Sequence, residues 1–340
     1  MPDVTRSLTF AKALNEALDI AMQTDPDVIL MGEDIAGGGG REEEGIEEAW
    51  GGILGITKGL YRKYGEKRVR DTPISEMGFM GAAVGAAATG LRPVVELMFM
   101  DFIGVCFDPL LNQAAKLRYM FGGRARVPLT VRTLVGGGLR AAAQHSQTLY
   151  GLTTAIPGLK TVVPSSPKDA KGLLLAAIRD DDPVIFCEPK ALIGVAGEVP
   201  EGDYEVPLGT ASIVREGSDV SLVAMGYTVM VAKEAAAALE REGVSAEVLD
   251  LRSLQPLDEA AILATLEKTG RMVVVDEATP RCGIASDVAA LCVDRGFDSL
   301  NAPVKRVTAP HTPVPFSPAL EDAYRPSPSR VVEAAHQVLR

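Results

Sequence analysis

Histidine, cysteine and long apolar runs are scarce in this chain, and each scarcity excludes a class of protein. Of the 340 residues, three are histidine and four are cysteine, so imidazole chemistry has few candidates. No two cysteines form a Cys-x-x-Cys pair, which argues against a structural zinc site and favours reduced thiols. No apolar run reaches the roughly 18 residues of a membrane span, and the first residues lack an apolar export signal. These observations predict a cytoplasmic protein without a membrane segment.

Positive charge is also in deficit. The chain has 34 Lys and Arg residues against 45 Asp and Glu residues, a formal net charge of −11. Nucleic-acid binding needs a basic face, so this composition argues against a nucleic-acid partner and permits a basic protein partner. Hydrophobic residues make up 47% of the chain, enough for a globular core. The length suggests two domains of roughly 150 residues each.

Strand and helix patterns alternate along the chain, which predicts an α/β fold with parallel strands and right-handed crossovers. A stretch rich in proline, glycine and acid at residues 194–209 predicts a boundary between two doubly wound parallel-sheet domains, residues 1–195 and 205–340. The predicted strands are residues 28–31, 93–98, 127–132, 159–163, 184–187, 220–224, 244–250, 271–275 and 304–307. The predicted helices are residues 9–23, 75–88, 109–120, 167–178, 228–241, 258–268, 284–295 and 329–338.

Two glycine stretches, residues 37–40 and 136–138, each follow a predicted strand. Neither has the Gly-x-x-x-x-Gly-Lys-Ser/Thr spacing of a phosphate loop. Neither opens a helix, as the dinucleotide-binding fingerprint requires. The patterns therefore argue against a nucleotide site and favour a turn at the first stretch.

Five blocks of sequence, in a fixed order over nearly the whole chain, carry a family resemblance. They are DTPISEMGFMGAAVGAAATGLRPVVELMFMDF (residues 71–102), LLNQAAKLRYMFGG (110–123), AAQHSQ (142–147), PGLKTVVPSSPKDAKGLLLAAIRDDDPVIFCEPK (157–190) and VVDEATPRCGIASDVAAL (274–291). The chain resembles the β subunits of the thiamine-diphosphate-dependent acetoin and 2-oxo acid dehydrogenases. The resemblance implies a transketolase-like pyrimidine-binding domain and a transketolase C-terminal-like domain. It also implies an α2β2 heterotetramer with active sites between α and β chains.

The resemblance also implies roles for four side chains. Glu76 would hydrogen-bond the pyrimidine nitrogen N1′ of thiamine diphosphate, and Phe102 would stack on the same ring. His145 would face the substrate and move protons or stabilise an oxyanion. Glu33 would belong to a polar tunnel between two cofactors. The alternatives are an acid at a helix N-terminus, a core phenylalanine, a hydrogen-bonded loop histidine and a solvated loop acid, respectively.

The family resemblance also bears on two metal ions, Mg²⁺ and K⁺. The chain has no Gly-Asp-Gly motif, with which such enzymes hold the diphosphate and Mg²⁺. The resemblance therefore implies that an α chain supplies that half of the site. Five positions match those that bind structural K⁺ in some family members, and the alternative is a helix end that runs into a DDDP turn. These positions are Leu129, Ala177, Ile178, Asp180 and Asp182.

The substrate prediction depends on a few segments. EEAWGGILGITKGLYRKYG (residues 47–65) and RTLVGGGLRAAAQHSQ (132–147) resemble the acetoin branch of the family. That branch cleaves acetoin and passes an acetyl group to the lipoamide of an acyltransferase core. The alternatives are a pyruvate or branched-chain 2-oxo acid dehydrogenase β subunit, and a scaffold that mainly docks the acyltransferase core. A stand-alone transketolase-like enzyme is disfavoured because the diphosphate motif is missing.

Overall fold

Alternating strands and helices build two larger sheets and one small one in the computed structural model, which describes residues 5–37 and 50–340. In chain order the strands are β1 Thr5–Thr9, β2 Val28–Gly32, β3 Val69–Asp71, β4 Arg92–Phe99, β5 Thr130–Val135, β6 Lys160–Val162, β7 Val184–Pro189, β8 Ala196–Pro200, β9 Ser212–Arg215, β10 Val220–Ala224, β11 Ala246–Asp250, β12 Ser253–Gln255, β13 Met272–Asp276 and β14 Lys305–Thr308. The helices are α1 Phe10–Thr24, α2 Leu60–Tyr64, α3 Glu76–Ala88, α4 Ala115–Met120, α5 Tyr150–Thr154, α6 Pro167–Arg179, α7 Tyr227–Arg241, α8 Glu259–Thr269, α9 Ile284–Arg295, α10 Pro318–Tyr324 and α11 Pro328–Leu339. Shorter 3₁₀ segments are Met100–Gly104, Lys190–Leu192 and Phe297–Ser299, and a π-helical stretch, Pro109–Ala114, leads into α4.

The larger sheet has seven strands in the order β12-β6-β7-β5-β4-β2-β3. Strands β2 to β7 pair in parallel, as the alternation of helix and strand predicts. Strand β12 comes from much later in the chain and joins the edge at β6 in an antiparallel direction. The two halves of the chain are therefore joined through one sheet.

The second sheet has five strands in the order β14-β13-β10-β11-β9. Three of its four pairings are parallel, and the fourth joins the edge strand β9 to β11 in an antiparallel direction. Each larger sheet is thus parallel with one antiparallel edge strand, a common arrangement in α/β folds.

Helices cover the sheets through apolar faces. In α1 the buried residues recur at helical spacing, from Phe10 through Leu14 and Leu18, and Thr9 caps the helix by accepting from the Lys12 N–H at 3.3 Å. This face packs on α6 in one core. A second core combines residues from strands of both sheets with residues of α3, α8 and α9. Within the described residues, none of the helices is both long and apolar enough to cross a membrane.

One predicted strand is shifted in the structure. The strand predicted at residues 127–132 occupies Thr130–Val135, because Pro128 has no N–H and the Val127 N–H bonds to the Asp181 carbonyl at 3.0 Å. The domain boundary predicted at residues 194–209 stays a prediction, and this stretch contains β8, which pairs with β1. The predicted turn at residues 37–40 lies, apart from residue 37, outside the described residues.

Candidate active site

The carboxyl ends of the adjacent strands β2, β4 and β5 meet at one edge of the seven-stranded sheet. Glu33 directly follows β2, Phe102 lies in the 3₁₀ segment after β4, and His145 lies in the loop after β5. Ligands of open parallel sheets gather at this edge. The topology therefore brings three residues that were predicted separately to one place.

Glu76 is the first residue of α3 and is buried. Its charge acts on groups from two other elements. At Glu33, burial raises the carboxyl pKa most, and the charges of Glu76, Asp34 and Glu96 raise it further. At Cys106, burial and then the charge of Glu76 raise the thiol pKa to about 12. Glu76 therefore lies within electrostatic reach of the β2 and β4 ends.

Three aromatic rings at this edge of the sheet pack edge to face. The His145 ring centroid lies 4.7 Å from that of Phe99 and 5.4 Å from that of Phe102, and the two phenylalanine rings are 5.8 Å apart. The Cys106 thiol lies 3.9 Å from the Phe102 carbonyl oxygen, which connects this cluster to the surroundings of Glu76. Edge-to-face packing at these distances fixes ring orientations.

Lys190 and Asp101 complete the edge, and the sequence analysis missed both. The Lys190 ammonium donates to the carbonyl oxygen of His145 and, at 3.2 Å, to the Ser146 hydroxyl. Burial lowers the pKa of Lys190 to about 8. Asp101 accepts from the Gln147 backbone N–H at 3.1 Å and from its side-chain amide at 2.9 Å. The signal in the sequence was a charged residue shortly after an apolar strand, which is Asp101 in MDF and Lys190 in CEPK.

A buried ion triad lies beneath this edge, within the sheet. The Arg132 guanidinium donates to Glu188 at 2.7 and 3.1 Å and to Glu96 at 3.0 Å. Burial raises the pKa of Glu188 to about 7, against the opposing charge of Arg132. Because Glu96 also acts on Glu33, the triad is electrostatically connected to the candidate site.

The five positions predicted for K⁺ lie elsewhere, at the amino ends of β5 and β7 and at the end of α6. The Arg92 guanidinium donates to the carbonyl oxygens of Ile178 and Asp180 at 3.3 and 3.0 Å. The Lys160 ammonium donates to the Asp180 carboxylate at 2.6 and 2.8 Å and lies 3.5 Å from Asp182. The Leu129 carbonyl accepts from Val184 N at 2.9 Å, and that of Ala177 accepts from Asp180 N at 3.3 Å.

These oxygens are thus engaged by donors of the chain itself, and K⁺ binding stays a prediction. No group of three or more His, Cys, Asp or Glu side chains in residues 5–37 and 50–340 is arranged to hold a metal ion.

Comparison with known proteins covers both halves of the chain. Residues 6–195 match the family "Transketolase, pyrimidine binding domain", and residues 209–331 match "Transketolase, C-terminal domain". A solved structure described as "Split gene transketolase, inactive beta4 tetramer" superposes with a TM-score of 0.78 at 24% identity, over 98% of each chain. This likeness shows the fold.

Curated relatives share almost the full length. The acetoin:2,6-dichlorophenolindophenol oxidoreductase β subunits of Bacillus subtilis and Cupriavidus necator are 61% and 57% identical, over 99% of this chain and 98% and 99% of theirs. The pyruvate dehydrogenase E1 component β subunit of Bacillus subtilis is 43% identical over 98% of each chain. The chain belongs to the transketolase-like family of dehydrogenase β subunits that includes these proteins. The predicted family and fold class are confirmed.

Proposed function

We propose that this chain is the β subunit of a thiamine-diphosphate-dependent oxidoreductase that cleaves acetoin. The buried carboxyl of Glu76, at the same sheet edge as Phe102 and His145, is the observation that carries the catalytic part of the proposal. The substrate part is supported by 61% identity to a β subunit named for acetoin, against 43% to one named for pyruvate. A pyruvate or branched-chain 2-oxo acid dehydrogenase β subunit is the alternative.

The residues at this edge fit the flat, nitrogen-containing half of thiamine diphosphate. When bound, this cofactor supplies the carbon nucleophile and electron sink for breaking a bond beside a carbonyl. Glu76 holds a proton at the pyrimidine nitrogen N1′, and Phe102 presents a flat apolar surface to the ring. His145 donates to the substrate oxygen as negative charge develops there. Glu33, whose pKa is raised by burial, provides a second proton-carrying group beside Glu76.

A partner chain completes the site in this proposal. The sequence has no Gly-Asp-Gly motif, so an α chain would hold the diphosphate and most of the Mg²⁺ ligands in an α2β2 assembly. The surface around Glu76 is suited to a partner, since Ile74 and Met77 are 85% and 56% exposed. Along α3 the exposed glycines Gly81 and Gly85 leave space for a close backbone approach. Exposed apolar residues beside a site are typical of interfaces.

The proposed enzyme would act together with an acyltransferase core in the cytoplasm. The acetyl group would pass to the lipoamide of an acyltransferase core, and the acidic chain suits a basic docking partner. The four free cysteines, three of them buried, support a cytoplasmic location. The seven-stranded sheet is built mainly from the first half of the chain and the five-stranded sheet from the second half. This division supports domains at residues 1–195 and 205–340.

The reconstituted α–β complex provides the test. Turnover of acetoin, pyruvate and a branched 2-oxo acid is measured with 2,6-dichlorophenolindophenol as electron acceptor. We expect acetoin to give the highest kcat/KM. Glu76→Ala is expected to lower kcat by about a hundredfold or more, the scale of a lost general acid–base group.

Glu66→Ala serves as the matched control, since Glu66 is an exposed acid on the same part of the chain. Complex assembly is followed by gel filtration for each variant. Full turnover by the assembled Glu76→Ala complex would refute the catalytic role and leave the scaffold interpretation. A higher kcat/KM for pyruvate than for acetoin would show that pyruvate, rather than acetoin, is the preferred substrate.

A further inference from the structure

The loop between β5 and α5, residues 136–149, carries His145 and contains no helix or strand. Two of its non-glycine residues, Arg140 and Ala142, have positive φ angles of 57° and 60°. Side chains strain the backbone in this region, and such a conformation persists where surrounding contacts hold it. The position of His145 therefore depends on what holds the loop.

The first half of the loop is held by the C-terminal domain, residues 209–331. The N–H of Gly137 donates to Glu277 Oε1 at 3.1 Å, and the N–H of Gly138 donates to Glu321 Oε1 at 2.6 Å. The Arg140 guanidinium donates to the other oxygen of Glu321 at 2.8 Å. Both acids are buried. Charge-assisted bonds of this kind are stronger than neutral ones.

The glycines make this approach possible. A Cβ at Gly136 would lie 2.3 Å from Glu277 Oε2, and a Cβ at Gly137 would lie 2.7 Å from Glu321 Oε1. These distances are too short for non-bonded atoms. The glycine stretch therefore receives two carboxylates of its own chain, much as the N–H groups of a glycine loop receive a bound anion.

The second half of the loop is held by the seven-stranded sheet. Lys190 follows β7 and bonds the carbonyl oxygen of His145, and Asp101 follows β4 and bonds Gln147. The C-terminal domain thus holds the first half of the loop, and the seven-stranded sheet holds the second half. The His145 imidazole packs against Phe99 at the end of β4.

We propose that Glu277 and Glu321 are positioning residues for His145, through which the C-terminal domain sets the geometry of the active site. The inference rests on the proposed role of His145. The two acids bond the backbone N–H groups of Gly137 and Gly138. Their effect on the position of the His145 imidazole is transmitted along the loop backbone. Misplacing a reacting group by about 1 Å costs up to about a hundredfold in rate.

Two variants disturb the contact from opposite sides. Glu321→Gln keeps the side-chain shape and removes the ion pair with Arg140. Gly137→Ala places a methyl group against the Glu321 carboxylate at a residue whose φ is not positive. Their controls are Asp322→Asn, an exposed neighbour that pairs with the Arg140 side chain, and Gly194→Ala, an exposed glycine with open space around it.

Each variant is assayed in the α–β complex for kcat and KM with acetoin, and hydrogen exchange is measured over residues 136–149. We expect kcat to fall by about ten- to a hundredfold, KM to change less, and the loop to exchange faster. Each variant is then combined with His145→Ala. In that background we expect less than about twofold further loss, because residues that act through one group are not additive.

A purely structural role would give the same loss of kcat with and without His145, and that result would overturn the inference. Unchanged exchange of the loop in both Glu321→Gln and Gly137→Ala would overturn it as well. A complex that assembles but does not turn over acetoin before any substitution contradicts the proposed function instead. The exchange measurement then decides whether the C-terminal domain holds the loop.

Discussion

Single charged residues inside the seven-stranded sheet depend on one another. Arg132 is buried between Glu96 and Glu188, and its guanidinium bonds both carboxylates. Removing one partner of such a group leaves buried charge without compensation, which costs far more than the loss of an exposed ion pair. The triad thus has a strong effect on stability even though it adds little to the apolar core.

Arg132→Met is therefore expected to lower the free energy of unfolding by about 3–5 kcal/mol. Arg179→Met is the matched control, because Arg179 also pairs with two acids, Asp203 and Glu205, but all three side chains are 34–46% exposed. We expect less than about 1 kcal/mol there. Urea unfolding of the full chain measures both, and equal losses would show that burial does not set the cost.

The residues of the candidate site differ in how far sequence could reveal them. Glu76, Phe102 and His145 lie in motifs that resemble a family, so their positions could be named before the fold was known. Lys190 and Glu321 could not be named in this way, because each acts on a backbone group that is distant in the chain. Lys190 bonds the carbonyl oxygen of His145, and Glu321 bonds the N–H of Gly138, which is 183 residues away. No local pattern encodes such a contact.

At the scale of elements, helix starts offer a comparison within the chain. Helices α6 and α11 both begin with Ser-Pro, and proline suits the first helical position. The Ser166 hydroxyl accepts from the Asp169 N–H at 3.1 Å and donates to the Asp169 carboxylate at 2.7 Å. Ser327 makes no such cap bond. The same dipeptide therefore stabilises the two helices differently.

Ser166→Ala is expected to cost about 1 kcal/mol of stability, and Ser327→Ala a few tenths at most. The loss at Ser166 follows from an unsatisfied N–H at the first turn of a buried helix. Thermal unfolding of the two variants beside the unsubstituted chain gives the difference. A Ser327→Ala loss as large as that of Ser166→Ala would contradict the capping argument.

Local apolar patterns locate most helices and most of the parallel strands, since each of these elements buries recognisable apolar residues. They miss the parallel strand β3, which has only three residues. They also could not locate β1 with β8, or β12 with β6, because these pairings join distant segments of chain. The strand at Thr130–Val135 was placed three residues early, since an apolar run shows burial but not where backbone pairing starts.

At the scale of the whole molecule, the two halves of the chain meet through buried polar groups as well as through a shared core. The Ser165 hydroxyl, near the end of β6, donates to the Asp250 carboxylate at the end of β11. Arg252 forms an ion pair with Asp169 of α6 at 2.9 Å. These contacts connect the two sheets, so we expect them to be made and lost together on folding.

Asp250 gives this junction a dependence on pH. Burial raises its carboxyl pKa from an ordinary 3.8 to about 7, so between these values the folded chain binds a proton that the unfolded chain has released. The free energy of unfolding therefore falls as pH rises from about 4 to about 7, by up to about 1.4 kcal/mol per pH unit from this one group.

Asp250→Asn removes this titration and retains an oxygen that can accept from the Arg252 N–H. Relative to the unsubstituted chain, the variant is expected to gain stability from pH 5 to pH 7, and to change much less between pH 7 and pH 8 as the titration of Asp250 is completed. Urea unfolding at these pH values measures the difference, and Glu201→Gln, at an exposed acid, is the control. A difference that does not vary with pH would mean that Asp250 is already ionised in the folded chain at pH 5, and that the junction between the sheets tolerates its charge.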